Sequence, residues 1–311
     1  MESELVALAA AALTSPGVNK LIETIADQIG LFLKPMHERR KALAEKDAVV
    51  TIAQGQADVA EIQVKKALEL EKLVARADER EARRQLRRQK NLEKIAVKAA
   101  HEIPASVSDK PVDQDWVSRF FEECQDVSNE EMQTIWGNIL AGEVTKPGSF
   151  SFRTLLAVKL LCPEVAHLFT RLCSFVWQTR EGMSPITFGR ATKYFDLTFD
   201  ELLLLKQNSL IEHIPKGIFN EALPAPKIPG EIVEVHYSYH SRLHILRIPN
   251  GPRDIELGKA LLTDIGRELV AISGATPIED YRKAVVEDWR SFGIEVQDDI
   301  ASNPTAGQSN S

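Results

Sequence analysis

Three histidines are the first residues whose spacing suggests chemistry. His236, His240 and His244 recur every four residues, and imidazoles that share one face of a strand are common zinc ligands. A turn expected near residues 241–242 would separate the third histidine from the other two, and Glu234 is the only obvious carboxylate close by in the sequence. We therefore expect exposed strand histidines and no metal site.

Signatures of enzymatic nucleophiles are absent from the sequence. It contains no G-x-S-x-G, no Walker glycine loop and no H-E-x-x-H, so we expect neither an enzyme nor a cofactor. The cysteines Cys124, Cys162 and Cys173 are too few and too far apart for a disulfide framework or a zinc finger. Because each stands in an apolar helical pattern, we expect buried thiols in a reducing cytosol.

A run of arginines offers phosphate chemistry. Cations recur there at spacings of three and four, which aligns them along one helix: Arg76, Arg80, Arg83, Arg84, Arg87, Arg88 and Lys90. The candidates for phosphate contact are Arg80, Arg83, Arg84, Arg87 and Arg88. The alternative is a solvated face on which neighbouring acids form ion pairs three or four positions away. No aromatic residue is interleaved to stack on bases, so nucleic acid is the less favoured partner.

The composition describes an ordinary globular chain. It has 311 residues, of which 44% are hydrophobic and 27% charged, and a net charge of −7, enough for two or three domains. Residues 34–100 hold 17 basic against 11 acidic side chains, whereas residues 101–311 hold 20 against 30. A modestly basic segment is therefore flanked by acidic parts.

The element that must carry these arginines is a long helix. Between Pro35 and Ala100 the chain has no proline and a single glycine, Gly55, and a continuous helix of that length would be a rod of roughly 100 Å. Apolar residues recur in a heptad over its first half: Leu43, Val50, Ala53, Ala57, Ala60, Val64, Ala67 and Val74. Such a stripe needs other helices, so we expect a homo-oligomer, either as a two-stranded coiled coil or as rods packed around a ring.

The first 34 residues predict two short amphipathic helices. The second begins with Pro16 after Ser15. Its apolar positions are Leu21, Ile22, Ile25, Ile29 and Phe32. With the cations that follow, this face can lie on the inner surface of a membrane, or it can pack against a neighbouring subunit, which we favour because the helices also carry acids. The acidic start argues against a secretory signal, and no apolar run is long enough to span a bilayer, so we expect a cytoplasmic protein.

Residues 101–148 predict a helical hairpin with an aromatic interface. Asp113 or Asp115 can start the first helix, and Ser128 with Glu131 matches a capping box for the second. The inner faces carry Trp116, Phe120, Phe121, Met132 and Trp136. Nothing in the hairpin places a nucleophile beside a base, so we interpret these residues as its core and as a docking surface for a protein partner.

Residues 149–297 have the pattern of a compact α+β domain. Helices are expected at 152–161, 165–177 and 199–205, a strand hairpin at 232–239 and 243–248, and a closing helix in LTDIGREL. This order resembles a winged-helix module. Its recognition helix offers Asp200 and Glu201 but no arginine to bridge a guanine, which favours docking of a protein over binding of DNA. Residues 298–311 are expected to form a disordered tail.

Two blocks of sequence resemble known families. DWVSRFF…CQDVSNEEMQTIWGNILAGEV, followed by KPGSFSFRTL, resembles an uncharacterised bacterial family described as a domain of unknown function, and the stretch from SPGVNKLIE to RRQKNLEKI is similar to the amino-terminal half of that family. This resemblance implies a bacterial cytosolic protein without an assigned activity. The KLIE segment and the helical rod are also distantly similar to abortive-infection proteins of the alpha type, which implies a role in phage defence.

The sequence as a whole predicts a mainly α protein. It comprises amphipathic helices (1–34), a long charged helical rod (35–100), a helical hairpin (101–148), a C-terminal α+β winged-helix-like module (149–297) and a tail (298–311). Its predicted function is that of a non-enzymatic homo-oligomeric scaffold that docks a protein partner. The alternatives are a peripheral effector that perturbs membranes through residues 1–34 and a nucleic-acid binder.

Overall fold

The computed structural model describes residues 15–29, 59–180, 182–213, 219–222, 232–249 and 254–301. Within these residues the protein is mainly helical, as predicted, and also contains antiparallel sheets. The chain separates after Gly148 into an N-terminal unit, residues 1–148, and a C-terminal unit, residues 149–311.

The described part of the N-terminal unit is built from helices. They are α1 (Pro16–Ile29), α2 (Val59–Glu102), α3 (Gln114–Cys124) and α4 (Glu130–Thr145). Helix α1 begins at Pro16 as predicted, because the missing N–H of proline is no loss at the first helical position. Helix α2 spans 44 residues, about 66 Å at the helical rise. The predicted helix at residues 5–13 and the first part of the predicted rod, residues 35–58, lie outside the described residues.

The C-terminal part of α2 packs closely on α4. Ile95, Ala96 and Ala99 are fully buried in this contact. A Cβ atom placed on Gly137 of α4 would lie only 2.8 Å from the Cβ of Lys98, so a larger residue at 137 would push the helices apart. Small side chains at the crossing therefore allow the two backbones to approach each other.

Two buried amide side chains fix the register of this helix pair. Asn91 Nδ2 donates to the carbonyl of Gln125 at 3.0 Å. Gln133 Nε2 donates to the carbonyl of Val127 at 2.9 Å and to Asn91 Oδ1 at 3.3 Å. Because a buried amide that loses its partners destabilises the fold, α2 cannot slide along α4 without a penalty.

Local capping sets where the hairpin helices begin. The Asp113 carboxylate accepts from the amides of Asp115 and Trp116, so Asp113 is the one of the two predicted candidates that caps α3. The predicted capping box at Ser128 and Glu131 is wrong. Asn129 is the N-cap of α4, and its side-chain oxygen accepts from the amide of Met132 at 3.0 Å. Asparagine and serine are comparable caps, so adjacent candidates leave the start uncertain by one residue.

The C-terminal unit combines helices with short antiparallel strands. Its described helices are α5 (Phe152–Leu160), α6 (Pro163–Cys173), a 3-10 helix (Gly189–Tyr194), α7 (Phe199–Gln207), α8 (Asp264–Val270) and α9 (Glu279–Ser291). Its described strands are β1 (Val176–Gln178), β2 (Met183–Pro185), β3 (Ile211–His213), β4 (Phe219–Ala222), β5 (Val233–Tyr239), β6 (Arg242–Ile248), β7 (Asp254–Gly258), β8 (Ala260–Leu262) and β9 (Glu295–Ala301). They form a five-stranded sheet in the order β2-β1-β5-β6-β9 and the two-stranded sheets β3-β8 and β4-β7.

Several predictions for this unit are confirmed at the level of single elements. The β5–β6 hairpin forms, and Val235, Tyr237 and Tyr239 point inward. Helix α7, predicted at residues 199–205, forms at Phe199–Gln207, and in the structure it begins with a capping box between Thr198 and Glu201. The predicted closing helix α8 also forms, and its N-cap is Thr263, whose hydroxyl accepts from the amide of Gly266 at 3.1 Å.

Two predictions for this unit are wrong. The helix expected at 165–177 ends at Cys173, and strand β1 takes the residues from Val176. The tail expected from residue 298 is wrong for residues 298–301, because these belong to β9, in which Ile300 and Ala301 pair with Leu243 and Arg242. A polar segment can complete a sheet edge through backbone hydrogen bonds alone. Residues 302–311 lie outside the described residues.

Aromatic side chains form the core of the C-terminal unit. Trp177 stacks on Tyr239 at 4.9 Å between ring centroids and meets Trp289 edge-on at 4.9 Å. The hydroxyl of Tyr281 accepts from the amide of Ile186 at 2.9 Å and lies 2.8 Å from the carbonyl of Phe175. Complete burial raises the pKa of Tyr281 well above its usual value, so the phenol stays protonated as a donor.

A buried carboxylate holds the 3-10 helix against α9. Asp288 is 4% exposed. Its Oδ2 accepts from the amides of Arg190 at 2.7 Å and Ala191 at 3.4 Å, and its Oδ1 accepts from the Arg190 guanidinium at 2.9 Å. Gly189 has a φ of +53° and would place a Cβ 2.5 Å from Asp288 Oδ2. Only glycine therefore fits beside this carboxylate.

Asp288→Ala is expected to lower the free energy of unfolding by about 2–4 kcal/mol, since it leaves buried amides without an acceptor. Arg190→Ala is the matched control. It removes a side chain that is 54% exposed and should lower stability by less than about 1 kcal/mol. Chemical denaturation of the full chain measures both. Equal losses would show that the ion pair, and not amide capping, holds the segment.

Candidate interaction surface on the long helix

Helix α2 exposes apolar side chains from Leu68 onward, where the description of its side chains begins. Leu68 is 48% exposed, Leu70 60%, Leu73 56% and Val74 50%. Leu86, further along, is 58% exposed. Single exposed leucines are common on protein surfaces, but a series on successive turns of one helix marks a surface that another apolar surface can cover. We call Leu70, Leu73, Val74 and Ala77 the helix face.

The helix face continues the side of α2 that is already buried against α4. Val74 precedes Leu92 by eighteen residues, and Ala77 precedes Ile95 by the same interval. Eighteen residues are five turns of an α-helix, so the members of each pair point in the same direction. Leu92 is 9% exposed and Ile95 is fully buried, whereas Val74 is half exposed. The same side of one helix is therefore covered at one end and open at the other.

The predicted oligomerisation residues are only partly described. Leu43, Val50, Ala53 and Ala57 lie outside the described residues. Ala60, Val64 and Ala67 belong to α2, but their side chains lie outside the description, which leaves Val74 as the described member of the set. The heptad pattern did not identify Leu70 and Leu73. A period of 3.6 residues, read backwards from the apolar stripe at Leu92 to Ala99, would have found them.

The arginine segment is largely neutralised by local acids. Arg83 pairs with Glu79 at 2.5 Å, and Arg84 pairs with Glu81. The pKa of Glu81 is lowered, chiefly by a hydrogen bond from Gln85 and further by the Arg84 charge. This supports the interpretation of a solvated, ion-paired face. Arg80 has no ion-pair partner among the residues that the structure describes, so it is the candidate phosphate contact whose charge is least compensated.

The other two candidates, Arg87 and Arg88, face Asp126 in the turn after α3. Arg88 Nε and Nη2 donate to Asp126 Oδ1 and Oδ2 at 2.9 and 2.6 Å, and Arg87 Nη2 lies 3.8 Å from Oδ1. The hydrogen bonds from Arg88 hold the pKa of Asp126 below its usual value. Both ends of this contact belong to the N-terminal unit, so Arg88 ties the long helix to the hairpin.

The aromatic residues of the hairpin are buried and cannot form a docking surface. Trp116 is 4% exposed, Phe121 4% and Met132 6%, and Phe120 and Trp136 are fully buried. Phe120 meets Trp136 edge-on at 5.3 Å between ring centroids. These five residues are the core of the N-terminal unit, and their predicted role in docking is wrong. A stripe of aromatic residues shows that a face is covered but not which element covers it.

The same correction applies to the predicted membrane face of α1. Leu21 and Ile25 are fully buried and Ile22 is half-buried within the N-terminal unit, where α1 contacts α2, α3 and α4. Lys20 Nζ also donates to the carbonyl of Lys110 at 2.6 Å. Leu21 and Ile25 are therefore unavailable to lipid, and neither faces a neighbouring subunit.

The remaining members of that set are not described. Phe32 lies outside the described residues, as does the side chain of Ile29. No helix in the described ranges has the length and apolar composition to cross a bilayer.

The three histidines singled out in the sequence differ in their burial. His236 and His240 are exposed, but His244 is fully buried and lies with Nε2 3.1 Å from Arg282 Nη1. The expectation of an exposed histidine is wrong at that position. Because side chains alternate between the two faces of a strand, His244 points inward, and its cross-strand partner on β5 is the buried Tyr237. Among the described side chains no group of three His, Cys, Asp or Glu could hold a metal ion.

The cysteines are mostly as expected. Cys124 and Cys173 are buried, and burial raises the pKa of both thiols, that of Cys173 to about 12. Cys162, predicted to be buried, is exposed because it lies at the N-cap position of α6, outside the helix whose apolar side it was assigned to.

The Asp126 pKa predicts a small loss of stability in acid. Because folding lowers this pKa, the tie to Arg88 is complete above the ordinary carboxyl pKa and is lost as the pH falls below about 4. Asp126 is half exposed, so the loss should be under about 1 kcal/mol. An NMR titration of the Asp126 carboxyl measures it, and Arg88→Gln should return the pKa towards its usual value. An unchanged titration in that variant would contradict the assigned cause.

Comparison with known proteins identifies a family. Neither the curated proteins nor the solved structures gave a match to the chain. A family described as "Protein of unknown function (DUF2806)" matches residues 75–286. This range includes the second half of α2, the hairpin and most of the C-terminal unit, and it confirms the resemblance that the hairpin motif suggested. Because the match covers about two thirds of the sequence, the chain belongs to this family of proteins of unknown function.

Proposed function

We propose that the protein is a non-enzymatic homo-oligomeric scaffold that assembles through α2. The observation that carries this proposal is the helix face, since Leu70, Leu73 and Val74 are each at least half exposed. Leu73 and Val74 lie five turns before Asn91 and Leu92, which are buried. A second copy of α2 is the occupant we assign to this face. The predicted heptad from Leu43 to Val74 would extend the contact towards the N-terminus.

The physical chemistry of the helix face suits another helix of the same kind. Covering the exposed halves of these three side chains is worth roughly 1 kcal/mol each, which is too little for assembly alone and sufficient when repeated along a heptad. Ala77 puts a small side chain on this face, which allows the backbone of a second helix to approach closely. The ion pairs of Glu79 and Glu81 reduce the repulsion that parallel arginine segments would otherwise feel.

We propose further that the C-terminal unit docks a protein partner in the manner of a winged-helix module. Helix α7 presents Phe199, Leu203 and Leu204, which are 53%, 36% and 39% exposed. The β5–β6 hairpin, which would be the wing of such a module, belongs to the five-stranded sheet. The likeness to a winged-helix module therefore rests on the order of α7, β3, β8 and α8 along the chain. The acidic start of α7, with Asp200 and Glu201, favours a protein over DNA as the partner.

The biological setting that we propose is phage defence in a bacterial cytoplasm. This part rests on the sequence resemblance to abortive-infection proteins of the alpha type. Assembly fits such a role, because multiplied copies of a docking unit raise its effective concentration for a partner.

The assembly proposal predicts a change in particle mass. Leu70→Glu with Val74→Glu places two charges on the helix face and should reduce the mass of the full chain, measured by light scattering at micromolar concentration, to that of the monomer. The matched control is Leu156→Glu with Leu160→Glu on α5, whose side chains are 53% and 79% exposed. It should leave the mass unchanged. A monomeric native protein, or equal masses for both variants, would overturn the proposal.

The dependence of DNA affinity on salt concentration tests the nucleic-acid alternative. If the arginine segment bound a phosphate backbone, DNA affinity would fall steeply with salt, by about one power of the salt concentration for each contact. We expect weak binding, with a slope that Arg80→Glu leaves unchanged. A steep slope that this substitution reduces would favour the nucleic-acid alternative.

A further inference from the structure

The C-terminal unit contains a partly open cavity that is lined mainly by apolar side chains. It has a volume of about 270 Å³ and lies between α7 with the segment before it and the strands β3 and β8. Phe195, Leu197, Phe199 and Leu202 line one side. An engineered cavity of roughly 150 Å³ can hold benzene, so this one has room for a substituted aromatic ring.

One buried histidine lines the cavity with part of its hydrogen-bonding capacity unused. His213 is 3% exposed. Its Nδ1 lies 2.9 Å from the carbonyl of Lys259, and since a carbonyl only accepts, Nδ1 carries the proton. In the neutral ring Nε2 is then an acceptor, and it has no hydrogen-bond partner among the described residues while being shielded from solvent. A buried acceptor left unpaired destabilises a fold unless something pairs with it.

The ring of His213 is held by its neighbours. Phe199 meets it edge-on at 5.5 Å between ring centroids. Strand β3 pairs His213 directly with Ala260, which also borders the cavity. The orientation of the imidazole is therefore fixed by the sheet on one side and by the first residue of α7 on the other.

We propose that this cavity binds a small uncharged molecule with an apolar, ring-sized body and one hydroxyl group. The body would pack among the phenylalanine and leucine side chains, and the hydroxyl would donate to His213 Nε2. Lys259 also borders the cavity, and its charge disfavours a cationic amine as the donor. The proposal is independent of assembly through α2, because every residue it uses belongs to the C-terminal unit.

The test compares two probes that differ in a single donor. Isothermal titration of the full chain with p-cresol and with p-methylanisole presents the same ring with and without an O–H. We expect p-cresol to bind about tenfold more tightly, the ratio that one buried hydrogen bond gives. Absence of binding by p-cresol, or equal affinities for the two probes, would overturn the proposal.

Variants locate the site. His213→Leu should abolish the preference for p-cresol while p-methylanisole still binds, and Leu202→Trp, which fills the cavity, should abolish binding of both probes. His236→Leu, an exposed histidine of the same unit, is the control and should retain the preference. A preference that persists without His213 would overturn the proposal.

A measurement on the native chain covers the case in which His213→Leu does not fold. NMR of the imidazole nitrogens should show the Nε2 resonance of His213 move on addition of p-cresol and not of p-methylanisole. An Nε2 resonance that p-cresol leaves unchanged would overturn the proposal.

Discussion

The fold of the N-terminal unit depends on a difference in length between two packed helices. Helix α2 has 44 residues and α4, its main cover, has 16, which correspond to about 66 and 24 Å. No arrangement of the hairpin could cover the whole apolar side of α2. Arg88 and Asn91 mark where the cover ends, since both contact the turn between α3 and α4. The rest of that side must remain in water or be covered from elsewhere.

Features encoded within a few residues could be predicted from the sequence. Pro16 and Asp113 each set a helix start, because capping depends on side chains within one turn of the helix. The alternation of β5 predicted which strand face is buried for the same reason. Where two adjacent caps competed, as before α4, the local signal was not sufficient to choose between them.

Features that depend on distant partners could not be predicted. The apolar faces of α1 and of the hairpin were recognised, but Leu21 and Trp136 are covered by other helices of their own unit, and periodicity does not name the covering element. His244 is buried beside Arg282, thirty-eight residues away in α9. The cavity beside His213 arises only when α7 packs against β3, so neither the spacing nor the type of its residues signalled it in the sequence.

Charged residues separate the helix face from the part of α2 that is buried against α4. Between Ala77 and Leu92 that side of the helix carries Glu81 and Arg88, charged side chains that a continuous dry interface would exclude. The Arg88 guanidinium donates two hydrogen bonds to Asp126. At the edge of the contact between α2 and the hairpin this paired charge is stabilising, whereas an unpaired charge in the middle of an apolar interface would be destabilising. These charged residues thus divide one apolar side of α2 into two parts. One part is covered within the unit, and the other, at Leu70, Leu73 and Val74, is exposed.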